Sequence, residues 1–169
     1  MRGEPVKLYF LCGKMAAGKS TFAKGLARAK SAVLLVQDEF LGALYPGEIQ
    51  TIQDFAKCAA RLREALSVHI RDLLSHGVPV VLDFPGNTRD QRQWFRALFE
   101  AANVEHELHF IDAPDDLCKR QLRQRSQMLP AGAAWTTEAE FDAITAYFEA
   151  PTEDENFHVV RHGSTAEVE

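Results

Sequence analysis

Gly13-Lys14-Met15-Ala16-Ala17-Gly18-Lys19-Ser20 matches the pattern G-x-x-x-x-G-K-[ST] at every fixed position. In this pattern glycines let the backbone wrap until consecutive N–H groups point at one anion. A lysine, here Lys19, reaches the β- and γ-phosphates as a point charge, and a hydroxyl, here Ser20, is offered to Mg2+. The apolar run over residues 6–12 reads as a buried strand leading into the loop. Residues 21–29 read as a helix leaving it, whose N-terminus adds positive partial charge where phosphates would lie. A nucleoside triphosphate is the ligand this arrangement implies.

Two carboxylates are placed to act on such a ligand. Asp38 follows a strand read over 33–37, and in a parallel α/β sheet ligands sit beyond the carboxyl ends of strands. It is expected to face the γ-phosphate as the base for an attacking hydroxyl. The alternative is that Asp38 or Glu39 merely caps segment 40–44. Asp83 closes Val80-Val81-Leu82-Asp83, a run like a Walker B element, whose aspartate holds Mg2+ or its water shell. An acceptor would then lie between Asp38 and the segment 41–55.

Cations form the remaining chemistry. Asn87 or Thr88 can cap a helix over 89–102. Arg89 in its first turn opposes the helix dipole and implies an anionic partner, either substrate or a carboxylate such as Asp38, whereas Arg92 and Arg96 read as a solvated face. In Lys119-Arg120-Gln121-Leu122-Arg123-Gln124-Arg125, Arg120 and Arg123 share a face one turn apart, and a loop with Pro130 and Gly132 follows. The segment suits a mobile lid that carries arginines over the triphosphate and excludes water, with Arg120 and Arg123 preferred over Arg125. The histidines show no zinc-ligand spacing.

Alternating elements must position these groups. Strands are expected at 6–12, 33–37, 78–83, 104–111 and 157–160. Helices are expected at 21–29, 53–75, 89–102 and 115–127, with a last one running to about 149 from the capping box Thr137-Glu138-Ala139-Glu140. Phe55, Ala59, Leu62, Leu66, Ile70 and Leu73 recur at three- and four-residue steps and give the long helix one buried face. Largely apolar strands alternating with helices imply an α/β fold, a parallel sheet covered on both faces. The chain has 169 residues and no repeats, and reads as one domain over 1–162 with a loose tail over 163–169. A formal net charge of −5 excludes bulk attraction to nucleic acid. Cys12, Cys58 and Cys118 form no C-x-x-C, so neither a disulfide framework nor a zinc knuckle is expected, and a reducing, cytoplasmic setting fits. No run is long enough to span a membrane, and no leader is expected.

The chain resembles the small P-loop kinases grouped as AAA_33-type ATPases, related to the 5′-kinase domain of polynucleotide kinase, chloramphenicol phosphotransferase and zeta toxins. The similar features are the loop Gly13–Thr21, Gln37-Asp38-Glu39-Phe40, the segment Leu82–Thr88, Ile111-Asp112-Ala113-Pro114 and the basic segment ending at Arg125. The resemblance implies a P-loop NTPase three-layer sandwich built on a five-stranded parallel sheet, with a helical arginine lid. Beside the ATP expected along Gly13 to Thr21 and the Mg2+ expected at Ser20 and Asp83, it implies Asp38 as base and Arg120, Arg123 or Arg125 as lid residues. Relatives often carry Asp-Ala-Thr-Asn where this chain has Asp83-Phe84-Pro85-Gly86-Asn87. The expected activity is Mg2+-dependent transfer of the γ-phosphate of ATP to a hydroxyl of a small-molecule or nucleotide-like acceptor, by a monomer or dimer. The alternative is a nucleotide-binding ATPase or switch without a small-molecule acceptor.

Overall fold

The computed structural model describes residues 3–128 and 136–163. The loop expected over 130–134 and the tail over 164–169 lie outside the described residues. The strands are β1 (Lys7–Cys12), β2 (Val33–Val36), β3 (Val80–Asp83), β4 (Glu105–Asp112) and β5 (Val159–Gly163), all parallel in the order β2-β3-β1-β4-β5. The helices are α1 (Lys19–Ala29), α2 (Gln37–Leu44), α3 (Ile52–Ser75), α4 (Arg89–Ala102), α5 (Asp115–Gln127) and α6 (Glu138–Thr145).

Beyond Lys7, β1 is apolar because both its faces are buried. Leu8, Phe10 and Cys12 pack with α3 and α4 residues such as Leu62, Ile70, Phe95 and Leu98. Tyr9 and Leu11 face the other way, onto Ala23 and Ala27 of α1. The sheet is therefore sandwiched between helices, with the carboxyl end of its central strand running into the loop at residue 13.

Helix ends follow local chemistry. Thr51 and Thr137 form capping boxes with Asp54 and Glu140. Thr88, not Asn87, caps α4 by accepting from the Gln91 N–H. Segment 37–44 is fully helical: α2 starts directly after β2, so Asp38 sits in its first turn rather than at its cap. α6 stops at Thr145, short of 149, and β5 lies two residues later than its apolar run suggests. Phe157 is spent instead in an aromatic cluster with Phe10, Phe99 and His106. Gly163 belongs to β5, paired opposite Asp112, and not to a tail.

The helix-face reading of two arginines is corrected. Arg92 is fully buried, donating to the Glu155 carboxylate at 2.8 and 3.1 Å, to the Gly86 carbonyl at 2.9 Å and to the Glu149 carbonyl at 2.8 Å. Arg96 lies over the Phe157 ring, 4.4 Å from its centroid, and donates to the Glu155 carbonyl. Arg89 does find an anion, but it is Asp154, at 2.9 Å through both terminal nitrogens, and not Asp38. The partner acidic residues lie on a short 3-10 turn, Glu153–Glu155, some sixty positions away in the chain.

Candidate active site

The loop after β1 turns through Ala17 N–H donating to the Lys14 carbonyl at 3.1 Å. Gly18, at φ +100°, precedes α1 in a conformation that costs a side chain but not glycine. No side chain caps α1 there, which leaves its first-turn amides open to an anion. Lys19 folds back over the loop, donating to the Gly13 carbonyl and, at 2.9 Å, to the Lys14 carbonyl. Burial lowers its pKa, and the Arg125 charge adds to the lowering against the carboxylate of Asp83.

Two further contacts anchor this loop, one to the end of β3 and one to the turn that follows it. Ser20 Oγ donates to Asp83 Oδ2 at 2.8 Å, so the two residues expected at a metal meet directly. Asn87 Oδ1 accepts the Gly13 N–H at 2.9 Å, while its own N–H donates to Gln91 Oε1 at 2.8 Å. The Gly13 amide is thus engaged by Asn87, unlike the expectation that it would serve a phosphate. The Phe84-Pro85-Gly86 departure has a steric reason: a Cβ on Gly86 would collide with the backbone carbonyl of Leu11 and crowd the Phe95 ring. Glycine lets this turn lie against β1 and brings Asn87 to the loop.

A cavity of about 650 Å³ opens at the sheet's carboxyl edge and is lined by loop residues from Lys14 to Ser20, together with Asp38, Asp83 and Asn87. Gly13 and Thr21, both expected at the nucleotide, are not among its lining residues. Asp38 stands exposed at this edge. Loss of solvation raises its pKa, the Asp83 charge raises it further, and Lys19 partly offsets both. Of the three lid arginines, Arg125 lines the cavity and Arg120 and Arg123 do not. The reason is helical phase: Arg123 turns toward Glu138, 3.2 Å away, and Arg120 is exposed on the outer side of α5.

Several lining residues escape a reading of the sequence. Ile52 and Phe55 open α3, and Phe55, read as part of its packing face, is 39 % exposed and borders the cavity. Ile144, Tyr147 and Phe148 add further apolar lining, with Phe148 stacked on Phe110 at 6.0 Å. Gln37 is 2 % exposed, lines the cavity, and its Oε1 has no hydrogen-bond partner among the described residues. Its signal was position alone, one residue before Asp38.

Ser20 and Asp83 are hard oxygen donors beside the phosphate loop, and among the described residues no cluster of three or more histidine, cysteine or acidic side chains could form a closed metal cage. That donor set fits Mg2+, which keeps most of its waters and shares the rest of its shell with phosphates.

A five-stranded parallel sheet of this order, sandwiched by helices and ending in this loop, defines a P-loop kinase-type α/β domain. The family model described as an AAA domain, AAA_33, matches residues 8–151, and the chain belongs to that family. Among solved structures, a protein from Chloroflexus aurantiacus superposes with a TM-score of 0.74 at 16% identity, covering 96% of this chain and 90% of that one. The APS kinase of Mycobacterium tuberculosis, in complex with AMPPNP and APS, gives 0.64 at 18% identity over 98% and 92%. A gluconokinase from Sinorhizobium meliloti gives 0.62 at 17% identity over 98% and 86%. No curated protein matches the chain in sequence. Among the described residues no helix is long and apolar enough to cross a membrane.

Proposed function

We propose that residues 1–162 form a Mg2+-dependent ATP phosphotransferase that moves the γ-phosphate to a hydroxyl of a small acceptor. The observation that carries this reading is the convergence of Lys19, the Ser20–Asp83 pair and Asp38 on one cavity. The kinase names of structural neighbours, and the AMPPNP and ADP-AlF3 held by two of them, are in keeping with it.

In this mechanism the open amides at the start of α1 and the Lys19 ammonium, released from the loop carbonyls, grip the β- and γ-phosphates. Ser20 and Asp83 would hold Mg2+, which would supply neutralising positive charge to the bound polyphosphate. Asp38 orients the acceptor hydroxyl and takes its proton; its raised pKa makes it a better base than an ordinary aspartate. Arg125 lines the same cavity as Lys19 and adds positive charge where the transferring group becomes more anionic.

The test is phosphoryl transfer from γ-labelled ATP to a panel of hydroxyl compounds. Lys19→Ala should abolish nucleotide-dependent activity. Asp38→Asn should bind ATP normally and lose transfer, and normal transfer by that variant removes Asp38 from the role of base. Hydrolysis without transfer to any acceptor would favour a nucleotide switch instead.

A further inference from the structure

Resting on the phosphotransferase reading, we infer that the acceptor is an uncharged, largely apolar or aromatic alcohol that carries a second hydrogen-bond donor, and that Gln37 binds this donor.

Charge around the cavity is partitioned. Among the described residues its cationic lining is Lys14, Lys19 and Arg125. Lys14 Nζ is paired with Asp115 at 2.6 Å, Lys19 lies on the loop carbonyls, and Arg125 is close enough to Lys19 to perturb it. All three belong to the phosphate end. Asp83 and Lys19 are the charges that shift Asp38. An acceptor carrying its own phosphate, sulfate or carboxylate would enter beside two carboxylates with no arginine or lysine reserved for it.

The walls away from the phosphate loop are largely apolar, with Thr88, Gln91 and Thr145 as polar exceptions. Phe84 is buried behind them, and Ile52, Phe55, Ile144 and Tyr147 stand at the rim, with Ile52 87 % and Tyr147 78 % exposed. Large apolar side chains held open in this way, from separate helices around one cavity, are a surface for an apolar ligand. In the same lining, Gln37 Oε1 is an acceptor without a donor among the described residues. A buried unpaired carbonyl oxygen destabilises a fold, and native proteins seldom retain one without a partner in the functional state. The partner must be an O–H or N–H. Because Gln37 and Asp38 both line this cavity, one molecule can present its reactive hydroxyl to Asp38 and its second donor to Gln37. In the reaction the acceptor oxygen bonds to the γ-phosphorus as the bond from that phosphorus to the β–γ bridging oxygen breaks. The hydroxyl proton passes to Asp38, and the products are a phosphomonoester and ADP.

The experiment uses the full chain saturated with AMPPNP and Mg2+, with AMPPNP binding measured first by calorimetry. Three probes are then titrated by NMR chemical shift: 1-phenylethane-1,2-diol, mandelate, in which a carboxylate replaces one hydroxyl carbon, and 2-phenylethanol, which lacks the second hydroxyl. The diol should bind at least about tenfold more tightly than either of the others, because a site built around an acceptor rejects analogues that leave it unpaired. Gln37→Met, close to glutamine in volume, should erase the preference of the diol over 2-phenylethanol while leaving AMPPNP affinity within about twofold and thermal stability undiminished. Mandelate binding as tightly as the diol, an unchanged preference in Gln37→Met, or no probe binding once AMPPNP is present would each overturn the inference while the phosphotransferase reading stands. Failure of AMPPNP itself to bind would instead bring down that reading.

Discussion

Glu155→Ala isolates what the buried ion pair does for this fold. In the native protein Arg92 has no exposed surface and spreads its donors over four acceptors: two oxygens of Glu155 and the carbonyls of Gly86 and Glu149. Removing the carboxylate leaves a guanidinium charge in the interior with two neutral partners. Breaking a buried pair from one side costs about 3–5 kcal/mol, against a total stability of roughly 5–15 kcal/mol for a domain. With a urea dependence of about 2 kcal/mol per molar, the unfolding midpoint should fall by about 1.5–2.5 M. Melting should drop by about 6–20 °C. The double variant Arg92→Met/Glu155→Ala removes the stranded charge but deprives the Gly86 and Glu149 carbonyls of their donor. It should therefore lose less than the sum of the single variants, with a coupling of about 1–3 kcal/mol. The pH dependence carries a sign. Burial alone would raise the Glu155 pKa, but hydrogen bonds from Arg92 and the Thr152 N–H and the Arg92 charge outweigh it and hold the carboxyl below its ordinary value. The stabilisation is thus full above the unfolded carboxylate pKa and disappears as pH falls through the lower folded value. Urea unfolding followed by circular dichroism, from neutral to acid pH, measures all of this. A single-variant loss under about 1 kcal/mol, or strictly additive losses, would refute the account of Arg92 as a charge that depends on Glu155.

Three other outcomes follow from the site. The raised pKa of Asp38 places the acid limb of kcat/KM above the usual aspartate range, with activity rising as the group deprotonates; Asp38→Asn should remove the limb and about 100-fold or more of the rate, as measured by a pH–rate profile. Arg125→Ala should lower kcat/KM for transfer by about 100-fold, whereas Arg120→Ala should stay within about threefold, and the reverse order in steady-state kinetics would restore Arg120 as the phosphate contact. Gly86→Ala should destabilise the domain by about 1–3 kcal/mol in urea unfolding and weaken ATP binding in calorimetry, because the new methyl displaces the Asn87 turn from β1.

Legibility in the sequence tracked the range over which each feature is determined. The loop, β1 and α4 are written locally: α4 runs from Arg89 to Ala102 as its apolar period implies, bounded by a threonine cap and a left-handed Asn103. α2 was harder because eight residues hold too few turns for a period to emerge. Arg92 looks like any charged helix residue until the 3-10 turn from Glu153 to Glu155 is folded back onto it. The choice between Arg120, Arg123 and Arg125 depends on the rotation of α5 about its axis, which the competing basic positions leave ambiguous. Gln37 and the rim residues Ile144 and Tyr147 acquire meaning only when segments distant in sequence enclose one space.

Under the proposed function, the contact of Asn87 with both Gly13 and Glu149 has a consequence for how such an enzyme could change. Its side chain secures the phosphate loop, while its carbonyl receives the Glu149 N–H and so tethers the stretch that follows α6. The hardware for handling phosphate is thereby bolted to the central strands, and the surfaces of Ile52, Phe55, Ile144 and Tyr147 hang from the ends of peripheral helices. Exchanging those few side chains would re-specify the guest without retooling the engine, so drift in acceptor preference should outrun drift in the loop.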